Sequence, residues 1–100
     1  MEIKKIKEGT HLTLALTGKL DTLTAPELEA VVKTELDGVT DLYFDLSGLE
    51  YISSAGLRVL LTAQKVMNVQ GYMTVLNPNE IVREVFEVTG FSDIFTVDFV

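Results

Sequence analysis

The stretch Thr40–Leu61, TDLYFDLSGLEYISSAGLRVLL, joins a strand-like apolar run to a helix-like one. Leu42, Tyr43, Phe44 and Leu46 form a short, nearly continuous apolar segment, the pattern of an interior strand covered on both faces. Beyond GLEYISSAG the spacing predicts a helix over about Ala55–Asn68. In it Arg58, Thr62 and Lys65 recur at three- and four-residue steps as one polar stripe on a mostly apolar cylinder. Ser53 and Ser54 stand at the junction.

Upstream, IKKIK and HLTLALTG read as two strands joined at Gly9. In the second, Leu12, Leu14 and Leu16 alternate with Thr13, Ala15 and Thr17, the period of a half-buried strand, which Gly18 ends. TLTAPELEAVVKTEL follows with Thr24 as N-cap, Pro26 in the first turn and Glu27 three residues after the threonine, a capping box. Leu28, Val31, Val32 and Leu36 then fall at helical spacing, and Asp37–Gly38 stops the helix. Downstream, Gly71 caps the second helix and Tyr72–Leu76 forms a strand. In NPNE, Asn77 is the expected cap, Pro78 the first-turn residue and Glu80 the third position of a further helix. That helix carries Ile81, Val82, Val85 and Phe86 inward and ends near Gly90, before one turn and a last short strand.

The order β-β-α-β-α-β-α-β predicts an α/β fold with a mixed, open sheet. Right-handed strand–helix–strand units make their strands parallel, and the helices pack on the sheet. A length of 100 residues suits a single domain spanning 1–100, with no linker or repeat. Ligands of such sheets bind beyond the C-terminal ends of parallel strands. Three loops are expected to share that edge: Gly18–Leu23, Ser47–Ser54 and Asn77–Asn79. They carry Asp21, Thr22, Ser47, Ser53, Ser54 and Asn77.

Charge narrows the partners. The formal net charge is −7, opposite in sign to what phosphate neutralisation demands of a nucleic-acid binder, and an anionic membrane surface is disfavoured likewise. The one basic cluster, Lys4–Lys7, reads as a first strand whose lysines discourage edge-to-edge aggregation. There is no cysteine, hence no disulfide framework or thiolate chemistry. No apolar run approaches the ~20 residues of a membrane span, and MEIKKIKEGT lacks the apolar region of a signal peptide. The expectation is a soluble, cytoplasmic protein.

Two readings of the serines come from their position. As a cap, a serine hydroxyl accepts a bond from a backbone N–H two or three residues on, worth about 1 kcal/mol. As a functional group, a serine at a helix N-terminus stands where a phosphate is tolerated, and Gly56 removes a Cβ from the approach. A nucleophilic Ser54 is disfavoured. The nucleophile elbow G-x-S-x-G fails at Ile52, and the only histidine, His11, begins an early strand. There is no Gly-Lys-Ser/Thr phosphate loop. Asp21, Asp41 and Asp45 are scattered, with neither histidine neighbours nor EF-hand spacing. No cofactor is expected.

At FDLSGLEYISSAGLRVLL the chain resembles the STAS domain, the fold of bacterial anti-sigma factor antagonists. The family's strand ending in Asp-x-Ser, its loop to an apolar residue, its Asp-Ser and its glycine-led helix fall on Asp45, Ser47, Ile52, Ser53, Ser54 and Gly56. LTGKLDTLTAPEL matches the family's early strand and first helix, with Asp21 on its acidic loop position. GYMTVLNPNEIVREVFEVTGFSDIF matches its fourth strand and final helix, so the likeness spans nearly the whole chain.

The resemblance implies a non-enzymatic switch. The unmodified antagonist binds an anti-sigma factor that is also a serine kinase, freeing a sigma factor. The kinase phosphorylates the loop serine, by position Ser54, and a PP2C-type phosphatase reverses the change. Asp21, Thr22, Ser53, Ser54, Gly56 and Arg58 are the expected partner-binding residues. Kinase substrates of the family usually carry Asp where this chain has Ser53, which makes Ser53 a rival modification site. Two other readings remain: a STAS subunit of a lipid or anion transport assembly or a ligand-binding STAS module, without phosphorylation, and an enzyme using Ser54 as nucleophile.

Overall fold

The computed structural model describes residues 1–100, in the order β1 (Glu2–Glu8), β2 (His11–Leu20), α1 (Ala25–Glu35), β3 (Asp41–Ile52), α2 (Ser54–Gln70), β4 (Tyr72–Leu76), α3 (Glu80–Thr89) and β5 (Thr96–Asp98), with a 3-10 turn at Phe91–Asp93. The expected element order is the observed one. The strands form one sheet ordered β1-β2-β3-β4-β5, with β1 antiparallel to β2 and every other pair parallel. β1 is an edge strand, and it carries Lys4, Lys5 and Lys7.

Each crossover moves the chain one strand along in the same direction. Crossovers of one hand then place all three helices on the same face. Burial follows from that. Leu12, Leu14 and Leu16 of β2, Leu42, Phe44 and Leu46 of β3, and Met73 and Val75 of β4 are buried. They meet Leu28 and Val32 of α1, Leu57, Leu60 and Met67 of α2, and Val82 and Phe86 of α3 in one core. Full burial of such a side chain is worth roughly 1.5–3 kcal/mol. Phe86 meets Phe95 edge-on at 5.5 Å between ring centroids, tying α3 to the approach of β5.

The opposite face of the sheet is uncovered. Thr13, Ala15, Tyr43, Asp45 and Thr74 on it are only partly buried, so β3 is not the doubly covered strand that its apolar run suggests. Tyr43 occupies the open face with its ring partly in solvent, as an aromatic with a polar tip can.

Helix ends depart from expectation in two places. Asn79, not Asn77, caps α3: its Oδ1 accepts from the amide of Val82 at 2.8 Å while its Nδ2 donates to the carbonyl of Leu49 at 3.1 Å. Asn77 has a φ of 54° and its side chain accepts from the amide of Val100 instead. Ile81 is 56% exposed rather than inward. The buried pair Val82 and Phe86 is one turn apart, and Ile81 lies about 100° around the helix from Val82.

Beyond Asp45, β3 leaves β4 and continues beside β2 alone, to the final pairing of Leu20 with Ile52. Two register shifts, between Ala15 and Thr17 and between Gly18 and Lys19, each give β3 one extra residue. Such bulges bend and twist a strand. Asp45 Oδ1 accepts from the amide of Ser47 at 3.0 Å at the first of them. Much of the expected Ser47–Ser54 loop is therefore strand, and β2 likewise runs past Gly18 to Leu20.

Candidate functional site

The paired ends of β2 and β3 set two turns side by side. The amide of Ser53 donates to the carbonyl of Leu20 at 2.9 Å, the last rung before the strands part into the helices α1 and α2. Asp21 follows Leu20 and Ser53 follows Ile52. Asp21, Thr22, Ser53 and Ser54 thus converge from two elements onto one end of the molecule.

On the β2 side, Asp21 and not Thr24 organises the turn. Its Oδ1 accepts from the amides of Leu23 at 3.0 Å and Thr24 at 3.1 Å. An aspartate bonding the amide two residues on is the mechanism by which Asp favours turns. The Thr24 hydroxyl makes no cap bond to the helix. It donates to the carbonyl of Lys19 at 2.8 Å and accepts from the amide of Asp21 at 2.9 Å. The capping box is therefore not formed, because Thr24 already has helical dihedrals and its side chain faces back toward β2. The Asp21 carboxyl lies below its ordinary pKa, chiefly because the Thr24 amide donates to its charged form; desolvation opposes this, and the Leu23 amide adds to the lowering.

On the β3 side, Ser53 is the N-cap of α2 by backbone geometry, at φ −100° and ψ 176°, and its carbonyl accepts the first helical bond from Leu57 at 3.0 Å. Its hydroxyl makes no cap bond. Oγ of Ser53 is buried and has no hydrogen-bond partner in the protein. Ser54 is the first helical residue and is exposed. The simple cap reading of the serines therefore fails at the side chain: the helix begins on Ser53 without the bond that makes serine a favoured cap.

Gly56 is buried. A Cβ on it would stand 2.6 Å from Leu20 Cγ and 2.9 Å from Ile52 Cγ1, so the glycine lets α2 settle onto the strand ends. It faces the core rather than solvent, and its place in the site is to position the serines.

Between α1 and α2 lies an open groove of about 650 Å³, bounded by Thr22 and Pro26 on one side and by Ala55, Arg58 and Thr62 on the other. Thr22 and Arg58 thus meet across one concavity beside Ser54. The third expected loop, Asn77–Asn79, does not reach this end. β4 stops level with Asp45, and Asn79 instead braces the β3 extension through the Leu49 carbonyl. His11 lies at the opposite end of the sheet, where its Nε2 is 3.2 Å from Oδ2 of Asp41. β2 separates it from Leu20 by nine residue steps, about 30 Å at strand rise. No serine–histidine pair forms. No group of three or more His, Asp or Glu side chains is placed to hold a metal ion, and no helix is long and apolar enough to cross a membrane.

The pattern of the STAS domain matches residues 2–99. The chain belongs to the STAS domain family. Among curated STAS-type relatives, the protein named "Putative anti-sigma factor antagonist BtrV" of Bordetella bronchiseptica is 43% identical over 97% of this chain and 85% of its own length. The anti-sigma-B factor antagonist of Staphylococcus aureus is 32% identical over 98% of this chain and 93% of its own. Solved structures agree on the fold. An anti-sigma factor antagonist described as putative, from Thermotoga maritima, superposes with a TM-score of 0.88 at 22% identity, covering 98% of this chain and 86% of that one. The Bacillus cell-fate determinant SpoIIAA in its phosphorylated form superposes with a TM-score of 0.76 at 21% identity, covering 97% of this chain and 91% of that one.

Sequence reasoning singled out Ser53, Ser54 and Arg58 but missed how Asp21 is used. Its signal was available: Asp21 stands two residues before Leu23 and three before Thr24, the spacing of a side-chain-closed turn.

Proposed function

We propose that this STAS domain is an anti-sigma factor antagonist whose binding to an anti-sigma factor kinase is ended by phosphorylation of Ser54. The observation that carries the reading is the placement of the two serines. Ser54 is exposed on the first turn of α2, next to Ala55 of the α1–α2 groove, whereas the Ser53 hydroxyl is buried. A kinase reaches the first and not the second. The names of the curated relatives support the antagonist role, and a phosphorylated form is known for a protein of the same fold.

The physics of the switch is local. Phosphate adds about −1.5 to −2 charges. At the start of α2 it meets unpaired amides and the positive end of the helix dipole, so the fold accommodates it. In a close interface without a cation on the partner, the same charge costs several kcal/mol. Each ~1.4 kcal/mol is tenfold in affinity. Asp21, Thr22 and Arg58 frame the contact, and dephosphorylation by a PP2C-type phosphatase resets it.

The test is incubation with the anti-sigma factor kinase of the same bacterium and ATP, followed by mass spectrometry of the wild type, Ser54→Ala and Ser53→Ala. One phosphate on the wild type and on Ser53→Ala, none on Ser54→Ala, and loss of kinase binding on modification are expected. A phosphorylated chain that keeps full affinity overturns the reading, as does a phosphate that persists in Ser54→Ala.

A further inference from the structure

The protein has 15 acidic and 8 basic residues, yet α2 contains no acidic residue and two basic ones, Arg58 and Lys65. The other helices are acidic: α1 carries Glu27, Glu29 and Glu35 against Lys33, and α3 carries Glu80, Glu84 and Glu87 against Arg83. The ion pairs of the protein employ Lys5, His11 and Lys33. Arg58 and Lys65 are exposed and belong to none of them. The acid across the groove, Glu29, is engaged by Lys33 at 3.3 Å. Lys65 lies seven positions after Arg58, which places the two cations about 10 Å apart along one helix face. Ser54 lies four residues before Arg58, one turn back on that same face.

We propose that this basic face of α2 docks an acidic strip of the partner protein, with carboxylates meeting Arg58 and Lys65, and that a phosphate on Ser54 withdraws Arg58 from the partner by pairing with it within the chain. The proposal rests on the reading of Ser54 given above and specifies what its surroundings recognise. Overall charge does not oppose it. Screening limits charge effects to about 8–10 Å at physiological salt, so a local basic face governs close contact even on an acidic protein. The geometry of the recapture is favourable, because an anion four residues N-terminal to a cation is the better-paired order on a helix. A phosphate offers Arg the bidentate, charge-assisted bonds that suit its planar guanidinium. Phosphorylation then acts twice at one point, adding repulsion toward the partner's carboxylates and removing the first cation that held them.

Two measurements test this. The affinity of the unphosphorylated chain for the anti-sigma factor of the same bacterium is measured across salt concentrations for the wild type, Arg58→Gln, Lys65→Gln and Arg83→Gln. The first two variants are expected to weaken binding about 3- to 10-fold and to flatten its salt dependence, while Arg83→Gln on α3 binds as the wild type. Separately, phosphoserine is installed at position 54 and its phosphate titrated by 31P NMR with no partner present. Arg58→Gln is expected to raise the second phosphate pKa by about 0.2–0.4 unit. Equal binding by Arg58→Gln, Lys65→Gln and the wild type overturns the docking face and leaves the antagonist reading standing. A wild type that does not bind the anti-sigma factor overturns both. A phosphate pKa indifferent to Arg58→Gln overturns the recapture.

Discussion

Gly56 lies so close to Leu20 that a β-carbon on it would come within 2.6 Å of the leucine's Cγ. Leu20 is fully buried and pairs with Ile52 at the last rung of β2 and β3, so it cannot swing aside. The first turn of α2 is therefore seated on the strand ends by the absence of one methyl group, and that seating fixes where Ser53 and Ser54 emerge. Gly56→Ala gains helix propensity of about 1 kcal/mol, but overpacking a tight contact costs about 1–3 kcal/mol. The expected net result is a loss of about 1 kcal/mol, read from the midpoint of urea denaturation. A stabilised Gly56→Ala would show that the helix is not held down at this point.

Ser53 offers the reverse case. A hydroxyl that capped α2 would make Ser53→Ala cost about 1 kcal/mol. Its Oγ is instead buried without a protein partner. Exchanging an unsatisfied buried polar group for an apolar one is neutral or stabilising. Thermal melts of Ser53→Ala should therefore match or exceed the wild type; a clear drop would mean that the hydroxyl is satisfied after all.

Asp21 should behave as a strong acid for its kind. Its folded pKa is lowered, first by the Thr24 amide, so the unfolded chain takes up a proton more readily than the folded one. The stabilisation that it supplies is fully present above its ordinary value of 3.8 and is lost as pH falls through the lower folded value. In an NMR titration into acid, the Leu23 and Thr24 amides should shift together with a midpoint below 3.8. Asp21→Asn should abolish that transition. A midpoint at or above the ordinary value would contradict the turn described here.

The order of elements was legible because the hydrophobic period changes cleanly, from the alternation of Leu12, Leu14 and Leu16 to the helical spacing of Leu28 and Val32. The end of β3 was not. Leu46, Leu49 and Ile52 are buried at steps of three, which neither strand nor helix periodicity explains; the two bulges produce that spacing by inserting one residue each. The choice of Asn79 over Asn77 as cap was equally hidden, since it depends on the Leu49 carbonyl thirty residues earlier in the chain. At the site, the serines and Arg58 were visible as a local pattern. The groove was not, because it exists only where α1 comes to lie against α2.

On the proposed switch, release by repulsion and release by unfolding make opposite predictions. Ser54 is the first residue of α2, whose opening turn holds no acidic side chain. The first amides of a helix lack intrahelical partners, and a negative charge placed there stabilises by about 0.3–1 kcal/mol at low salt. Ser54→Asp should therefore melt at or slightly above the wild-type temperature, with the increment shrinking as salt rises. If the proposed antagonist reading holds, the same variant should bind the anti-sigma factor more weakly than the wild type does, because the charge enters the proposed contact surface. Retained folding with lost binding places the switch on the surface of α2. A Ser54→Asp protein that melts several degrees lower, or loses its helical circular dichroism, would instead mean that a charge at this position releases the partner by opening the helix.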